Sequence, residues 1–350
     1  MVKAPSWIFE PSDLDNIEDI ELYRPGGFHP VHISDTLDSD RYQVVHKLGY
    51  GGFSTVWLCR DRHLHQYVAI KILTADESNR PLNREFDMLQ QLEQLGVSSN
   101  HPGKEYVPLL TRHFQIDGPN GSHRCLVLRA AGPSISTLVQ GRSVKGGWMG
   151  GDLARGLALQ VTQGLAYLHL CGIGHGGSNV LIDITETEFH TWPQNQVYEI
   201  FGKPVTNPMR YISHAQSGDS ASAPSYVVEP IDFSAVDTKY LDPRIQIIDL
   251  GQSFYLDTPP TEGVGTPIDY RAPELIFNED PSSHSDVWAL GCLIFEIRTG
   301  QTLFEAYFGN KNEVLTQMVN TLGNLPEPWW SAWDERREDV DKDVNYYRGD

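Results

Sequence analysis

The chain has 350 residues, with 27 Lys and Arg against 46 Asp and Glu, a net charge of −19. Hydrophobic and charged fractions of 40% and 21% are those of a folded protein, and the length allows one large domain or two modest ones. The acidity argues against a direct grip on nucleic acid or an anionic membrane, whose phosphates call for Lys and Arg, and suits basic protein partners instead.

Residues 1–41 are rich in acid, Pro and Gly and show no sustained periodicity, so an extended arm is expected there. From Tyr42 the pattern sharpens into strands at 42–48, 54–60 and 67–73, the first two joined by a glycine-rich turn. A helix over 82–95 follows from Phe86, Leu89, Leu92 and Leu95 at helical spacing. A strand at 123–128 is broken by Ala130-Ala131-Gly132-Pro133. Asp152 then stands where it could cap a long helix striped by Leu153, Leu157, Val161, Leu165 and Leu168. Strands therefore give way to helices near residue 130. This predicts two lobes, a strand-rich one over 42–128 and a helical one over 129–350, with a hinge at about 129–132. The weakly patterned stretch at about 183–244 reads as an insertion or functional loop.

Cys59, Cys125, Cys171 and Cys292 form no CxxC pair and accompany no His pair at zinc spacing, so reduced thiols in a cytoplasmic or nuclear protein are expected. The first residues lack the apolar core of a signal peptide. The apolar run from Val287 to Phe295 is about half a membrane span and is stopped by Glu296, which predicts a buried helix.

Three constellations carry chemistry. In Leu48-Gly49-Tyr50-Gly51-Gly52-Phe53-Ser54-Thr55-Val56-Trp57, glycines between two strands let backbone N–H groups approach a polyphosphate. Val68-Ala69-Ile70-Lys71 puts a lysine on the next strand, and Glu85 on the following helix could pair with it. In Ile247-Ile248-Asp249-Leu250-Gly251, a carboxylate ends an apolar strand, a placement suited to Mg²⁺, which takes oxygen ligands. Downstream lie Gly265-Thr266-Pro267, Tyr270-Arg271-Ala272-Pro273-Glu274 and Asp286-Val287-Trp288-Ala289-Leu290-Gly291.

In that order these pieces resemble the eukaryotic protein kinases. The glycine loop, the insertion ahead of the metal-binding acid and Asp249-Leu250-Gly251 are most similar to the SR-protein kinases. The segments 226–233 and 325–330 are similar to their fungal branch. The resemblance covers about residues 20–340. It implies an α+β bilobal kinase fold and ATP-dependent phosphorylation of serine in basic Arg/Ser-rich proteins, by a transferase that is a monomer in the cytoplasm or nucleus. It also implies ATP and Mg²⁺ as ligands. Gly49, Gly51 and Ser54 would shape the loop over the phosphates, with Leu48 beside it. Lys71 would contact the phosphates and Glu85 would hold Lys71. Val56, Ala69 and Leu181 would sandwich the adenine, the backbone from Arg129 to Ala131 would meet its edge, and Leu128 would guard the back of the pocket. Asp249 and Asn179 would bind metal.

One departure matters. The family pattern His-Arg-Asp-x-x-x-x-Asn supplies an aspartate that receives the substrate hydroxyl's proton. Here the segment is Gly174-His175-Gly176-Gly177-Ser178-Asn179, with three residues where the pattern has six and no aspartate. Asp183 lies past a predicted strand and Asp152 at the far end of the preceding helix, so neither is expected to fill the gap. The shortening is expected to pull Asn179 towards His175. Three readings stand: a misplaced splice boundary in an active kinase, a true deletion leaving an ATP-binding pseudokinase or scaffold, and an active enzyme of unorthodox geometry. Gly176 occupies the place of an arginine that grips a phosphorylated activation loop, so no dependence on such phosphorylation is expected. The family usually carries further C-terminal helices, and these are expected to be truncated here. One of them holds an arginine for Glu274, which is therefore expected to be unpaired or answered by Arg298 or Arg336.

Overall fold

The strand-rich half forms because residues from Tyr42 onward fill two opposite faces, one apolar throughout and one mixed. The computed structural model describes residues 7–81, 83–96, 100–144, 149–177, 179–212, 221–306 and 309–333. Its first strands are β1 (Thr36–Leu37), β2 (Tyr42–Gly51), β3 (Ser54–Asp61) and β4 (Gln66–Leu73). Helices α1 (Ala75–Ser78) and α2 (Arg84–Gly96) precede β5 (Arg112–Gly118) and β6 (Gly121–Arg129). Next come α3 (Ile135–Val144), α4 (Gly151–Leu170), β7 (Ile173–Gly174) and β8 (Val180–Ile184). The insertion supplies α5 (Glu186–Phe189), α6 (Gln194–Phe201), β9 (Thr206–Pro208) and β10 (Tyr226–Val228). The chain continues through β11 (Leu241–Ile247), β12 (Phe254–Tyr255), α7 (Pro273–Ile276), α8 (Ser283–Thr299) and α9 (Lys311–Leu322).

The described residues group into two compact units, one within 1–98, 108–137 and 181–246, the other within 99–107, 138–180 and 247–350. In the first, an antiparallel sheet runs β1-β2-β3-β4-β6-β5. One face carries Tyr42, Val44, Trp57, Cys59, Val68, Ile70, Ile72, Cys125 and Val127, all buried in one cluster. The other face carries Val45, Leu58 and Tyr67, which pack against Phe189, Trp192, Val197, Phe201, Ile231 and Val236. The insertion, expected within a helical lobe beginning at 129, thus groups with the strand-rich unit. Its aromatic residues have that half-open sheet face to cover, and burying a large aromatic stabilises by about 1.5–3 kcal/mol.

The arm is anchored rather than loose. Tyr23 and Phe28 are buried with Val227, and Glu10 N–H donates to the Arg210 carbonyl at 2.8 Å. Lys47 of β2 is fully buried in an ion pair with Glu18 of the arm and donates to the Val228 carbonyl of β10 at 3.0 Å. The Tyr23 hydroxyl donates to the same Glu18 carboxylate. A buried ion pair stripped of one partner costs several kcal/mol, so this one point binds arm, sheet and insertion together.

In the second unit α4 packs against α8, burying Leu157, Val161, Leu165 and Leu168. Three expectations are corrected. The long helix begins at Gly151 with Gly150 as its cap, so Asp152 falls inside the first turn and pairs with Arg155 at 2.8 Å. Leu95, expected in the apolar stripe of α2, is 49% exposed, whereas Met88, Leu89 and Leu92 are buried there. The run from Val287 to Phe295 lies on α8 but is not wholly buried: Val287, Ile294 and Phe295 recur on one open side of the helix.

Burial pushes the His29 and His46 imidazoles down to about 4, His29 further disfavoured by the charge of His123. Their ordinary value is 6.5, so the unfolded chain takes up protons that the folded chain refuses between those values. The stability they lend is complete above about pH 6.5 and is lost as pH falls from there towards 4. Thermal melting from about pH 7.5 to pH 5 should show a falling midpoint, with a flatter dependence in the His29→Asn/His46→Asn variant. An equally steep dependence in that variant would contradict this assignment.

Candidate active site

In the strand-rich unit the register aligns the expected nucleotide residues on one sheet face. Val56 stands opposite both Gly49 and Lys71, and Ala69 stands between Leu58 and Leu128. Ala69 and Lys71 are two residues apart on β4, so they share that face. Lys71 Nζ meets the Glu85 carboxylate at 2.7 Å, with both side chains mostly buried. Glu85 is held there because α2 starts one residue earlier, and Asn83 Oδ1 accepts the Phe86 N–H at 3.0 Å. A carboxylate in a helix's first turn also sits well with the helix dipole.

Gly49, Gly51 and Gly52 have ordinary negative φ, and a Cβ added at any of them would meet nothing within 4 Å. Neither backbone conformation nor packing demands glycine there, and the space beside these three residues is open. The loop is fastened at its edges: Tyr50 OH donates to Asn16 Oδ1 at 3.0 Å, and Phe53 O accepts the Thr74 N–H at 2.9 Å. Ser54 is buried at the base of the turn, while Leu48 is half-buried. The segment after β6 pairs with β8: Gly132 N–H donates to Ile182 O at 2.7 Å, and Ile182 N–H to Pro133 O at 2.9 Å. That places buried Ala131 and half-buried Leu181 on adjoining stretches of backbone.

The second unit holds the shortened loop. Asp286 of α8 accepts the N–H groups of His175 and Gly176 at 2.7 and 2.8 Å, and its carboxylate lies 2.9 Å from His169 Nε2. His175 Nε2 donates to the Ile248 carbonyl at 3.1 Å. Asp249 adopts a left-handed backbone at φ 66°, rare for a residue with a side chain, and its carboxylate accepts Asn179 Nδ2 at 3.2 Å. Asn179 therefore stays beside Asp249 despite the shortening. The amide and carboxylate offer the hard oxygen donors that Mg²⁺ prefers. Ser178 lies outside the described residues.

Neither acid that the sequence offers nearby takes the vacant role. Asp183 is buried in an ion pair with Arg129, and Asp152 is exposed on α4. Gly176 is glycine for a local reason: its φ is 68°, and a Cβ would lie 2.5 Å from the Gln252 carbonyl oxygen. In the segment following Asp249, Gly265 N–H donates to Gln252 Oε1 at 2.7 Å, Thr266 Oγ1 to Gly176 O at 2.7 Å, and Arg271 Nη2 to Thr266 O at 2.6 Å. Arg298 donates to the Met149 carbonyl at 2.9 Å, and Arg336 lies outside the described residues. Asp286, the anchor of the whole loop, went unassigned in the sequence reading. Its signal was the acid heading an apolar helix, which apolarity alone marks only as core.

The Lys71–Glu85 pair and the glycine loop of the first unit, and the Asn179–Asp249 pair beside His175 in the second, are the residues by which the sequence resembles a protein kinase. The family model for that domain matches residues 42–190 and 236–343, so the chain belongs to the protein kinase family. The gap in the match falls inside the insertion. A serine/threonine protein kinase of Aspergillus fumigatus is 30% identical over 314 residues, covering 88% of this chain and 71% of that protein. The serine/threonine-protein kinase SRPK of Physarum polycephalum is 30% identical over 333 residues, covering 91% and 75%. The protein kinase dsk1 of Schizosaccharomyces pombe is 26% identical over 392 residues, covering 89% and 71%. By family the chain is a protein-serine/threonine kinase, a transferase.

Lys71→Met is expected to weaken ATP binding about tenfold or more, since it removes a charge-assisted contact to phosphate. Asp249→Asn should make ATP affinity insensitive to Mg²⁺. Titration calorimetry with and without the metal reads both effects, and unchanged affinities in both variants would refute the placement of nucleotide on these residues.

Proposed function

We propose that this chain binds Mg-ATP and phosphorylates serines in Arg/Ser-rich proteins, slowly for a kinase. The observation that carries the reading is the Lys71–Glu85 contact at 2.7 Å under a glycine loop with open space above it. Leu48, Gly49, Gly51, Ser54, Val56, Ala69, Leu128, Ala131 and Leu181 receive the nucleotide, with Lys71 on its phosphates. Asn179 and Asp249 would hold Mg²⁺, which supplies neutralisation of charge on the phosphates. The SRPK name of one relative, together with the net charge of −19, supports an Arg-rich substrate, because an acidic surface steers and retains a polycationic chain. The protein acts as a monomer in the cytoplasm or nucleus.

With no aspartate between His175 and Asn179, the serine hydroxyl has no positioned proton acceptor in the loop. General-base assistance is worth about 10²–10⁴-fold, so transfer that rests on positioning and electrostatics alone is slower by that order. The same gap favours a second reading, in which nucleotide is held without turnover and the chain serves as a scaffold. Incubation with Mg-ATP and an Arg-Ser repeat peptide separates the two. Slow phosphoserine formation, together with a thermal shift on adding Mg-ATP, is expected. A thermal shift without any phosphoserine establishes the scaffold reading, and no shift at all overturns both.

A further inference from the structure

Asp183, excluded above as a proton acceptor, has surroundings that give it another task. Its side chain is 1% exposed, yet it makes three polar contacts to two other strands. Arg129 Nη2, from the last residue of β6, donates to Oδ2 at 2.6 Å. Gln246 Nε2 of β11 donates to Oδ1 at 2.5 Å, and Arg244 Nε of the same strand lies 3.8 Å from Oδ2. Exposed ion pairs contribute roughly 0–1 kcal/mol, but a carboxylate this deeply buried depends on its partners far more strongly.

The contacts continue in sequence. Directly after Arg129 the chain passes through buried Ala130 and Ala131. Gly132 and Pro133 then exchange backbone hydrogen bonds with Ile182, and Ser134 bridges to Leu181. Residues 129–134 are thus clamped to β8 at consecutive levels: the ion pair at 183, two backbone bonds at 182 and the bridge at 181. Asp183 and Leu181 point to the same side of β8, being two residues apart.

We infer that Asp183 is a positioning residue for adenine. Through Arg129 it fixes the backbone at 129–131 and, along its own strand, Leu181, so that a flat base meets a preformed slot. The inference rests on the nucleotide reading given under Proposed function. Preformed slots bind more tightly because less motion is lost on binding.

The test uses two variants, Asp183→Asn and Arg129→Met, the second at a side chain 30% exposed and leaving Gln246 as a donor to the Asp183 carboxylate. Calorimetry reads the affinities for Mg-ATP, adenosine and Mg-tripolyphosphate. Both variants should lose about three- to tenfold for ATP and adenosine, the scale of one weakened charge-assisted hydrogen bond, and keep their affinity for tripolyphosphate. Arg129→Lys should recover part of the loss. Should Asp183→Asn fail to fold, the arginine variants carry the comparison. Unchanged adenosine affinity, or an equal loss for adenosine and tripolyphosphate, overturns the inference. A wild-type chain that binds tripolyphosphate but not adenosine overturns it as well, whereas a wild-type chain that binds neither ligand nor ATP overturns the nucleotide reading itself.

Discussion

The buried carboxylate of Asp286 is the constraint on which the catalytic region depends. A carboxylate at 4% exposure is tolerable only when its lone pairs are used, and here two backbone N–H groups and an imidazole use them. Those bonds fix His175 and Gly176 whatever follows. His175 in turn reaches the carbonyl just before Asp249, and Asp249 turns through a strained conformation to meet Asn179. The loop is thus held at both ends. Its shortening leaves three residues between those ends and keeps Asn179 beside Asp249.

A second buried charge governs the other unit. Lys47 lies two residues before Gly49, and its ammonium is shared between Glu18 of the arm and the Val228 carbonyl of the insertion. The two stretches with the least sequence pattern therefore meet at one lysine beside the glycine loop. Aromatic burial on the adjoining sheet face does the rest, holding the insertion against β2, β3 and β4.

Much of this was legible in the sequence. The alternation of β2 to β4, the stripe of α4 and the lysine–glutamate order each follow from local patterns that periodicity and spacing can read. What escaped depended on partners distant in sequence. Nothing near Asp286 announces that the N–H groups donating to it lie 111 and 110 residues away, and nothing near Glu18 announces Lys47. The cap at Asp152 failed for a smaller reason: the helix boundary lies two residues earlier, with Gly150 as the cap, and boundaries are the least reliable feature of any periodicity. The hold of Asp183 on Arg129, 54 residues away, likewise required the fold.

The central claim is the proposal that this chain binds nucleotide as a kinase does and transfers phosphate slowly because its loop has no proton acceptor. Replacing Gly176-Gly177-Ser178 with a six-residue segment that carries Asp at its second position tests it most directly. The account predicts a gain in kcat towards an Arg-Ser peptide of about 10²–10⁴-fold, with ATP affinity unchanged within about twofold. A restored loop that binds ATP equally well and transfers phosphate no faster would contradict it.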